Sequence, residues 1–229
     1  MIKGLSEEEK FKVIRPIIGK CDFDNYHMPV IKKTSIDAIN WDSLKVTGVQ
    51  NATLKKSDKN TLILMFNYDK ILLRLWNNPL KKVGLFQNYA AVATPDFSIY
   101  PTMNVNEIQH NVYMSRWLGV TWQNYNNIVL PTVGWSTPET DDICFSGIEY
   151  EAIVVISTLD CENHQNDFLR GFNEMKRRIN PPLIIVYGDM IDGMTGTFIN
   201  FAYEDDFDKK YEQLQFDGIH KIFTLTEVA

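Results

Sequence analysis

Cysteine is scarce in this sequence: Cys21, Cys144 and Cys161 are the three among 229 residues. Their number is odd and their spacing scattered, which excludes a disulfide scaffold and leaves reduced thiols in a cytoplasmic protein as the expectation. Long apolar runs are missing too. No segment reaches the roughly 18 uninterrupted apolar residues of a membrane span, so no membrane partner is expected. The stretch from Met1 to Lys20 is interrupted by Glu7, Glu8, Glu9, Lys10 and Lys12, unlike a secretory signal. Positive charge is in deficit, with 23 Lys and Arg against 29 Asp and Glu and a net charge of −6. That balance disfavours broad binding to a phosphate backbone.

Several chemical signatures are absent as well. There is no Gly-x4-Gly-Lys-Ser/Thr loop, no Gly-x-Gly-x-x-Gly after a strand, no Gly-x-Ser-x-Gly and no His-Glu-x-x-His. Nucleotide binding through a standard loop is therefore not expected, and no pattern names a cofactor. The four histidines are His27, His110, His164 and His220. Cys161 and His164 form a lone Cys-x-x-His with no matching pair, so no metal site is expected.

What is present is core material, 45% hydrophobic and 12% aromatic, enough to exclude wholesale disorder. Thr61–Phe66, Ala90–Thr94, Asn127–Val133, Glu151–Ser157, Leu183–Tyr187 and Thr197–Ala202 read as short buried strands, with Pro29–Ile31 and His220–Thr226 as further candidates. Helical spacing runs through Ile71, Leu72, Leu75 and Trp76 and stops at Asn77-Asn78-Pro79. Leu80–Gln87 reads as a short helix. A long helix is predicted over 104–123 with Asn104 as cap. An amphipathic one is predicted over 164–179, with Phe168, Phe172, Met175 and Ile179 on one face. Ser6–Ile18 and Asp205–Leu214 also read as helices, and Lys45–Asn60 as a polar loop or weak helix. Strands alternating with helices predict an α/β fold with a mainly parallel sheet, (β/α)-barrel-like, with an open doubly wound sheet as the alternative. The expected organisation is one domain over 1–229 with an N-terminal extension of about residues 1–27.

In such folds ligands bind at the carboxyl ends of the strands. Those ends carry Asp69, then Asp96 with Ser98 and Tyr100, then Thr132 with Trp135, Ser157, and finally Tyr187 with Asp189. Taken singly, each suits a helix cap or a turn. Taken together, three carboxylates and several hydroxyls on one edge predict a ligand site in which carboxylates divide acid and base roles or hold a divalent cation. Pro95 forces Thr94 to be extended and sets the direction in which Asp96 leaves its strand. Gly134 allows a turn that projects Trp135 over a cleft, where its ring stacks on a base or sugar or plugs the end of the barrel. Arg116 sits at a spacing that makes it a helix-face neighbour of Tyr113, as Trp117 equally is of Tyr113. It is a candidate ligand for phosphate or carboxylate, although pairing with an acidic neighbour is the commoner role. Arg170, Lys176, Arg177 and Arg178 give the amphipathic helix a basic side that suits solvent or nucleic acid.

Several of these pieces occur in a recognisable order. Trp76-Asn77-Asn78-Pro79 precedes Thr94-Pro95-Asp96-Phe97-Ser98-Ile99-Tyr100. A helix with Asn111, Tyr113 and Arg116 follows, then Leu130-Pro131-Thr132-Val133-Gly134-Trp135, Phe145-Ser146-Gly147-Ile148, Ile156-Ser157-Thr158 and Val186-Tyr187-Gly188. From Thr61 to Asp189 the chain resembles the family called Domain of Unknown Function forty-four seventeen. The resemblance implies an origin in phages, plasmids or other bacterial mobile elements, and it brings no reaction or catalytic residue. Where members of that family carry two adjacent acids before the Trp-x-x-Pro helix, this chain has Tyr68-Asp69, so a metal site built on that acidic pair is not implied.

Three readings of function follow. The first is a mobile-element protein that binds a host or phage macromolecule in replication control or counter-defence. The second is an enzyme acting at the strand ends on a nucleotide, nucleic acid or sugar-like ligand. The third is a nucleic-acid-binding module.

Overall fold

The structure, a computed structural model, describes residues 6, 15–159, 161–202 and 221–224. Four strands, β1 (Lys45–Gly48), β2 (Thr61–Leu64), β3 (Ala91–Ala93) and β4 (Val129–Leu130), form a parallel sheet in chain order. A second sheet follows in the same order: β5 (Val154–Ser157), β6 (Ile184–Tyr187), β7 (Thr197–Phe201) and β8 (Lys221–Thr224). Only the β7–β8 pair in it is antiparallel. The sheets meet past the end of β4, where Thr132 pairs in parallel with Val155. There Val133 N–H donates to Val155 O and Val155 N–H to Pro131 O, both at 2.9 Å.

The crossovers carry helices: α1 (Asp69–Asn77) and α2 (Val83–Phe86) between β2 and β3, α3 (Val105–Asn124) before β4, α4 (Asp141–Cys144) before β5, and α5 (Gln165–Ile179) before β6. The start of α3 is set by a capping box. Asn104 Oδ1 accepts the Asn106 N–H at 2.9 Å, and Glu107 Oε2 accepts the Asn104 N–H at 2.9 Å. Satisfying these end groups pins where the helix begins. At its other end α5 closes on Asn180 in the left-handed conformation, φ 51°.

Strands β2 to β6 are buried almost throughout, which is why they read as apolar runs. Alternate residues of both sheets, among them Val46, Leu62, Leu64, Ala91, Ala93, Leu130, Val155, Ile185 and Ile199, share one apolar cluster. On the opposite face of the first sheet, Ile63, Val92 and Val129 pack against Leu72, Phe86, Trp117, Leu118 and Trp122 of α1, α2 and α3. On that face of the second sheet, Val154, Ile156, Ile184, Val186 and Phe198 pack against Phe168, Phe172, Met175 and Ile179 of α5. Helix α3 touches both outer clusters, through Ile108 and Val112 on one side and Met114, Trp117 and Trp122 on the other. It therefore lacks a clean polar face over 114–122, where all residues are buried.

The α/β class and the mainly parallel pairing match the expectation from sequence. The strand order follows the chain without the reversal that defines a doubly wound sheet. Among the described residues no ladder joins β1 to β8 to close a barrel. The stretch Lys45–Asn60, read as loop or weak helix, contains β1, because Val46, Thr47 and Gly48 are buried beside β2 despite the polar residues around them. Pro29–Ile31 forms isolated bridges and no ladder, with Phe23 pairing to Pro29 and Ile31 to Ile148. The helix expected over Ser6–Ile18 falls largely outside the described residues, and its described tail 15–18 is not helical. The helix expected over Asp205–Leu214 lies wholly outside them.

One glycine sets how closely α3 approaches the sheet. A methyl group on Gly119 would stand 2.6 Å from Ile31 Cδ1 and 2.8 Å from Thr94 Cγ2. Gly119→Val is therefore expected to lower unfolding free energy by about 1–3 kcal/mol through overpacking. Urea unfolding with an unchanged m-value checks this, and a midpoint equal to that of the parent chain would refute the close approach.

Candidate functional site

A cavity of about 800 Å3 lies at the carboxyl ends of β2, β3, β4 and β5. From the β2 end come Phe66, Asn67, Tyr68, Asp69 and Lys70, and from the β3 end Asp96 to Tyr100. The β4 extension adds Val133, Gly134 and Trp135, and the β5 end adds Ser157 and Leu159. Cys161, and Phe168 of α5, complete the wall. Beneath Phe66 lies Tyr187, the two rings stacked at 5.2 Å and 6°. Both belong to the cluster shared by the two sheets, so Phe66 is at once the top of that core and part of the cavity lining.

The turn Pro95–Ser98 is tied down from three sides. Asp96 N–H donates to Met65 O at 3.3 Å, holding the exit of β3 to that of β2. Ser98 N–H donates to Asp69 Oδ1 at 3.1 Å, and Asn111 Nδ2 donates to Ser98 O at 2.7 Å. Below the turn, Thr94 Oγ1 accepts from Thr132 N–H at 2.9 Å and from Ser115 Oγ at 3.0 Å. Thr132 Oγ1 returns a bond to Thr94 O at 2.5 Å. A backbone held by this many oriented bonds presents its side chains in a fixed place.

The two carboxylates are held differently. Asp69 is the first residue of α1, and its Oδ1 is tied to the Ser98 N–H. The Asp96 carboxylate accepts no hydrogen bond and no ion pair among the described residues. Burial first, and the neighbouring Asp69 charge second, push its pKa up to about 7, against a smaller opposing pull from Arg116. A carboxyl group that exchanges a proton near neutrality and a second one fixed by a backbone bond therefore share the cavity.

Arg116 does not line this cavity. Its side chain is 2% exposed, and the guanidinium donates to Thr132 O (3.0 Å), Cys144 O (3.0 Å) and Ser146 O (2.9 Å). Burial lowers its pKa to about 10, which leaves it charged at neutral pH. Backbone carbonyls, in place of the acidic side chain expected from sequence, take up its donors. A smaller cleft lined by Asp96, Asn111, Ser115, Arg116 and Thr132 lies on the inner side of Asp96.

Trp135 lines the cavity and packs on α5. Its centroid is 5.0 Å from the Phe168 ring and 6.2 Å from the Phe145 ring. A methyl group on Gly171 would fall 2.0 Å from Trp135 Cδ1, so only glycine leaves room for the indole in the middle of this helix. Tyr68 and Tyr100 line the cavity and are exposed, at 55% and 59%.

Of the residues singled out from sequence, the cavity brings together Asp69, Asp96, Ser98, Tyr100 and Trp135. Tyr187 lies below them in the core at 1% exposure. Asp189 is exposed and outside the lining, because Gly188 turns the chain away at φ 115° while its carbonyl accepts from Asn200 Nδ2 at 2.6 Å. Phe66, Phe168 and Gly171 were not singled out for the site, and Asn111 only within the ordered motifs. A glycine inside an otherwise strong helix is the signal that could have found Gly171. The basic side of α5 is largely neutralised. Arg177 and Arg178 both bond Glu174, Arg178 also pairs with Asp142 at 2.6 Å, and Arg170 pairs with Asp141 at 2.6 Å. Among the described residues no group of three or more His, Cys, Asp or Glu is placed to hold a metal ion. No described helix is long and apolar enough to cross a membrane.

Residues 24–205 match the family model described as Domain of unknown function (DUF4417), and the chain belongs to that family. It is similar to the Gene 1 protein of Mycobacterium phage D29, 38% identical over 117 residues, which cover 50% of this chain and 43% of that protein. It is also similar to the Gene 1 protein of Mycobacterium phage L5, 36% identical over 118 residues, covering 50% of this chain and 52% of that protein. The chain spans about half the length of these curated relatives. No solved structure matches it.

Two outcomes test this geometry. Arg116→Met strands three buried carbonyls, each costing about 1–3 kcal/mol. A destabilisation of several kcal/mol in denaturant is expected, and a change below about 1 kcal/mol would refute the clamp. The raised pKa of Asp96 means that the folded chain holds this proton more tightly than the unfolded chain does. Asp96 therefore makes stability fall as pH rises from about 4, near the unfolded value, to about 7. Asp96→Asn should flatten that part of the pH–stability curve, with its largest relative gain above pH 7. A parallel curve for the variant would count against the assignment.

Proposed function

We propose that the cavity is the working site of an enzyme that binds a small ring-shaped ligand and moves a proton through Asp96, inside the infected bacterial cell. The observation that carries this reading is Asp96 itself. Its carboxylate lines a cavity of about 800 Å3 without a hydrogen-bond partner among the described residues, beside a second carboxylate that is held in place. That volume is in the range of small-molecule sites. The aromatic wall of Trp135, Phe168 and Phe66 suits a flat face, and Asp69, Asp96, Ser98 and Ser157 suit an edge rich in O–H or N–H donors. The nucleoside part of a nucleotide or nucleic acid and a sugar both have this form. The match to phage Gene 1 proteins supports the cellular setting.

A second reading, binding to a host or phage macromolecule in replication control or counter-defence, draws on the exposed Tyr68 and Tyr100 at the cavity. Such exposed aromatic rings are common anchors of binding surfaces. The reading as a nucleic-acid module is weaker, since Arg170, Arg177 and Arg178 on α5 are already paired with acids.

The test is tryptophan fluorescence with nucleosides and with mono- and oligosaccharides at up to about 1 mM, the upper end of ordinary substrate affinities. One class is expected to change the Trp135 signal. The change should disappear in Trp135→Phe and weaken about tenfold in Asp96→Asn, an estimate resting on loss of one charge-assisted bond. No change with either class would overturn the cavity reading in favour of the macromolecular one.

A further inference from the structure

The chemistry of the lining narrows the ligand. Arg116, the buried cation nearest Asp96, is spent on three backbone carbonyls. Lys70 is the one basic residue in the lining, and its Nζ lies 5.7 Å from the Tyr68 ring. A phosphate or carboxylate placed against the strand ends would face Asp69 and Asp96 without a forked cation to receive it. A ring with hydroxyls around its edge would find acceptors there instead. Its face would find Trp135, which cannot retreat because α5 passes against it at Gly171.

The unequal carboxyl groups then point to a reaction. Asp69, at the start of α1, is fixed by the Ser98 N–H, while the Asp96 carboxylate is desolvated next to it without a hydrogen-bond partner among the described residues, and both line the cavity. The charged groups facing Asp96 are Asp69 from α1 and Arg116 from α3. A protonated and an ionised carboxyl group in one cavity are the pair needed to expel a leaving group from a sugar's anomeric carbon. One group supplies the proton, and the other stabilises the oxocarbenium-like centre.

We infer that this site hydrolyses a glycosidic bond, with Asp96 as general acid and Asp69 as the base that receives the proton of water. The inference rests on the ligand-site reading above and adds its substrate class. The Asp96 O–H proton passes to the leaving atom as the bond from the anomeric carbon breaks, and the bonding electrons go with that atom. Water oxygen forms the new bond to the anomeric carbon and gives a proton to Asp69. Asp69 then releases that proton to solvent, and Asp96 takes one up. One water is consumed, and a free sugar and a protonated leaving group are formed. The leaving atom is oxygen if the substrate is an oligosaccharide and nitrogen if it is a nucleoside.

The full chain is to be assayed in two arms, reducing-end release from oligosaccharides and base release from ribo- and deoxyribonucleosides. Turnover is expected in one arm. Asp96→Asn should lower kcat about 10^2- to 10^4-fold, the usual contribution of general acid catalysis, while the ligand-induced change in Trp135 fluorescence persists. Glycosides with a dinitrophenyl leaving group need no proton, so on them Asp96→Asn should recover most of the lost rate. Asp69→Asn, which keeps an acceptor for Ser98 N–H, should stay slow on every substrate. Binding detected by Trp135 with no turnover in either arm would overturn glycoside hydrolysis and leave the ligand site standing. Equal losses for Asp96→Asn on activated and ordinary substrates would overturn its role as the acid. Absence of any binding would overturn both readings.

Discussion

The buried guanidinium of Arg116 is the interaction on which the carboxyl edge of the sheet depends. It reaches three carbonyls that are far from it in sequence, those of Thr132, Cys144 and Ser146. These belong to the exit of β4, to the end of α4 and to the turn two residues beyond it. A cation removed from water is tolerable only if its donors are met by strong acceptors, and oriented carbonyls serve without adding a second charge. Gly147, next to this loop, donates its N–H to Asp24 Oδ2 at 2.7 Å, which brings the chain before β1 into the same arrangement. The exit of β4 is thereby fixed beside that of β3, where Thr94 and Thr132 exchange their own bonds.

On that base stands the Pro95–Ser98 turn. Asp69 acts twice in it. Its Oδ1 secures the turn through Ser98, and its charge raises the proton affinity of Asp96. The arrangement is economical because the tether that positions Asp96 also tunes it. Arg116 pulls the other way from below, and desolvation outweighs that pull. The environment that separates the two carboxyl groups is thus made by three crossovers, those carrying α1, α3 and α4. No single segment of chain contains it.

Much of the fold was legible before any coordinates. Apolar runs such as Thr61–Phe66 and Leu183–Tyr187 declare strands buried on both faces. Asn104 with Glu107 declares the start of α3, and Phe168, Phe172, Met175 and Ile179 declare the inner stripe of α5. β1 was hidden because its burial comes from neighbours and not from its own composition. Pro29–Ile31 looked like a strand but pairs only through isolated bridges, with Phe23 and Ile148. The site was legible to the same degree. Asp69, Asp96, Ser98, Tyr100 and Trp135 were named from their positions after strands, and they line one cavity. Tyr187 and Asp189 were named by the same rule and Arg116 from its helix face, and none of the three lines it, since position along a strand or helix does not give the direction of a side chain.

The amino-acid sequence by itself determined the α/β class, the parallel crossovers, the helix boundaries set by local caps, and the edge on which the cavity opens. These follow from periodicity and from hydrogen bonds between near neighbours in the chain. Only the tertiary structure decided that Asp96 is unpaired and Arg116 fully engaged. It alone decided that Trp135 is wedged against Gly171 and that Asp189 is turned out to solvent. Those outcomes depend on desolvation and on partners 12 or more residues away, such as Asn200 for Gly188, Thr132 for Arg116 and Asp69 for Ser98. A local pattern carries no record of such distances.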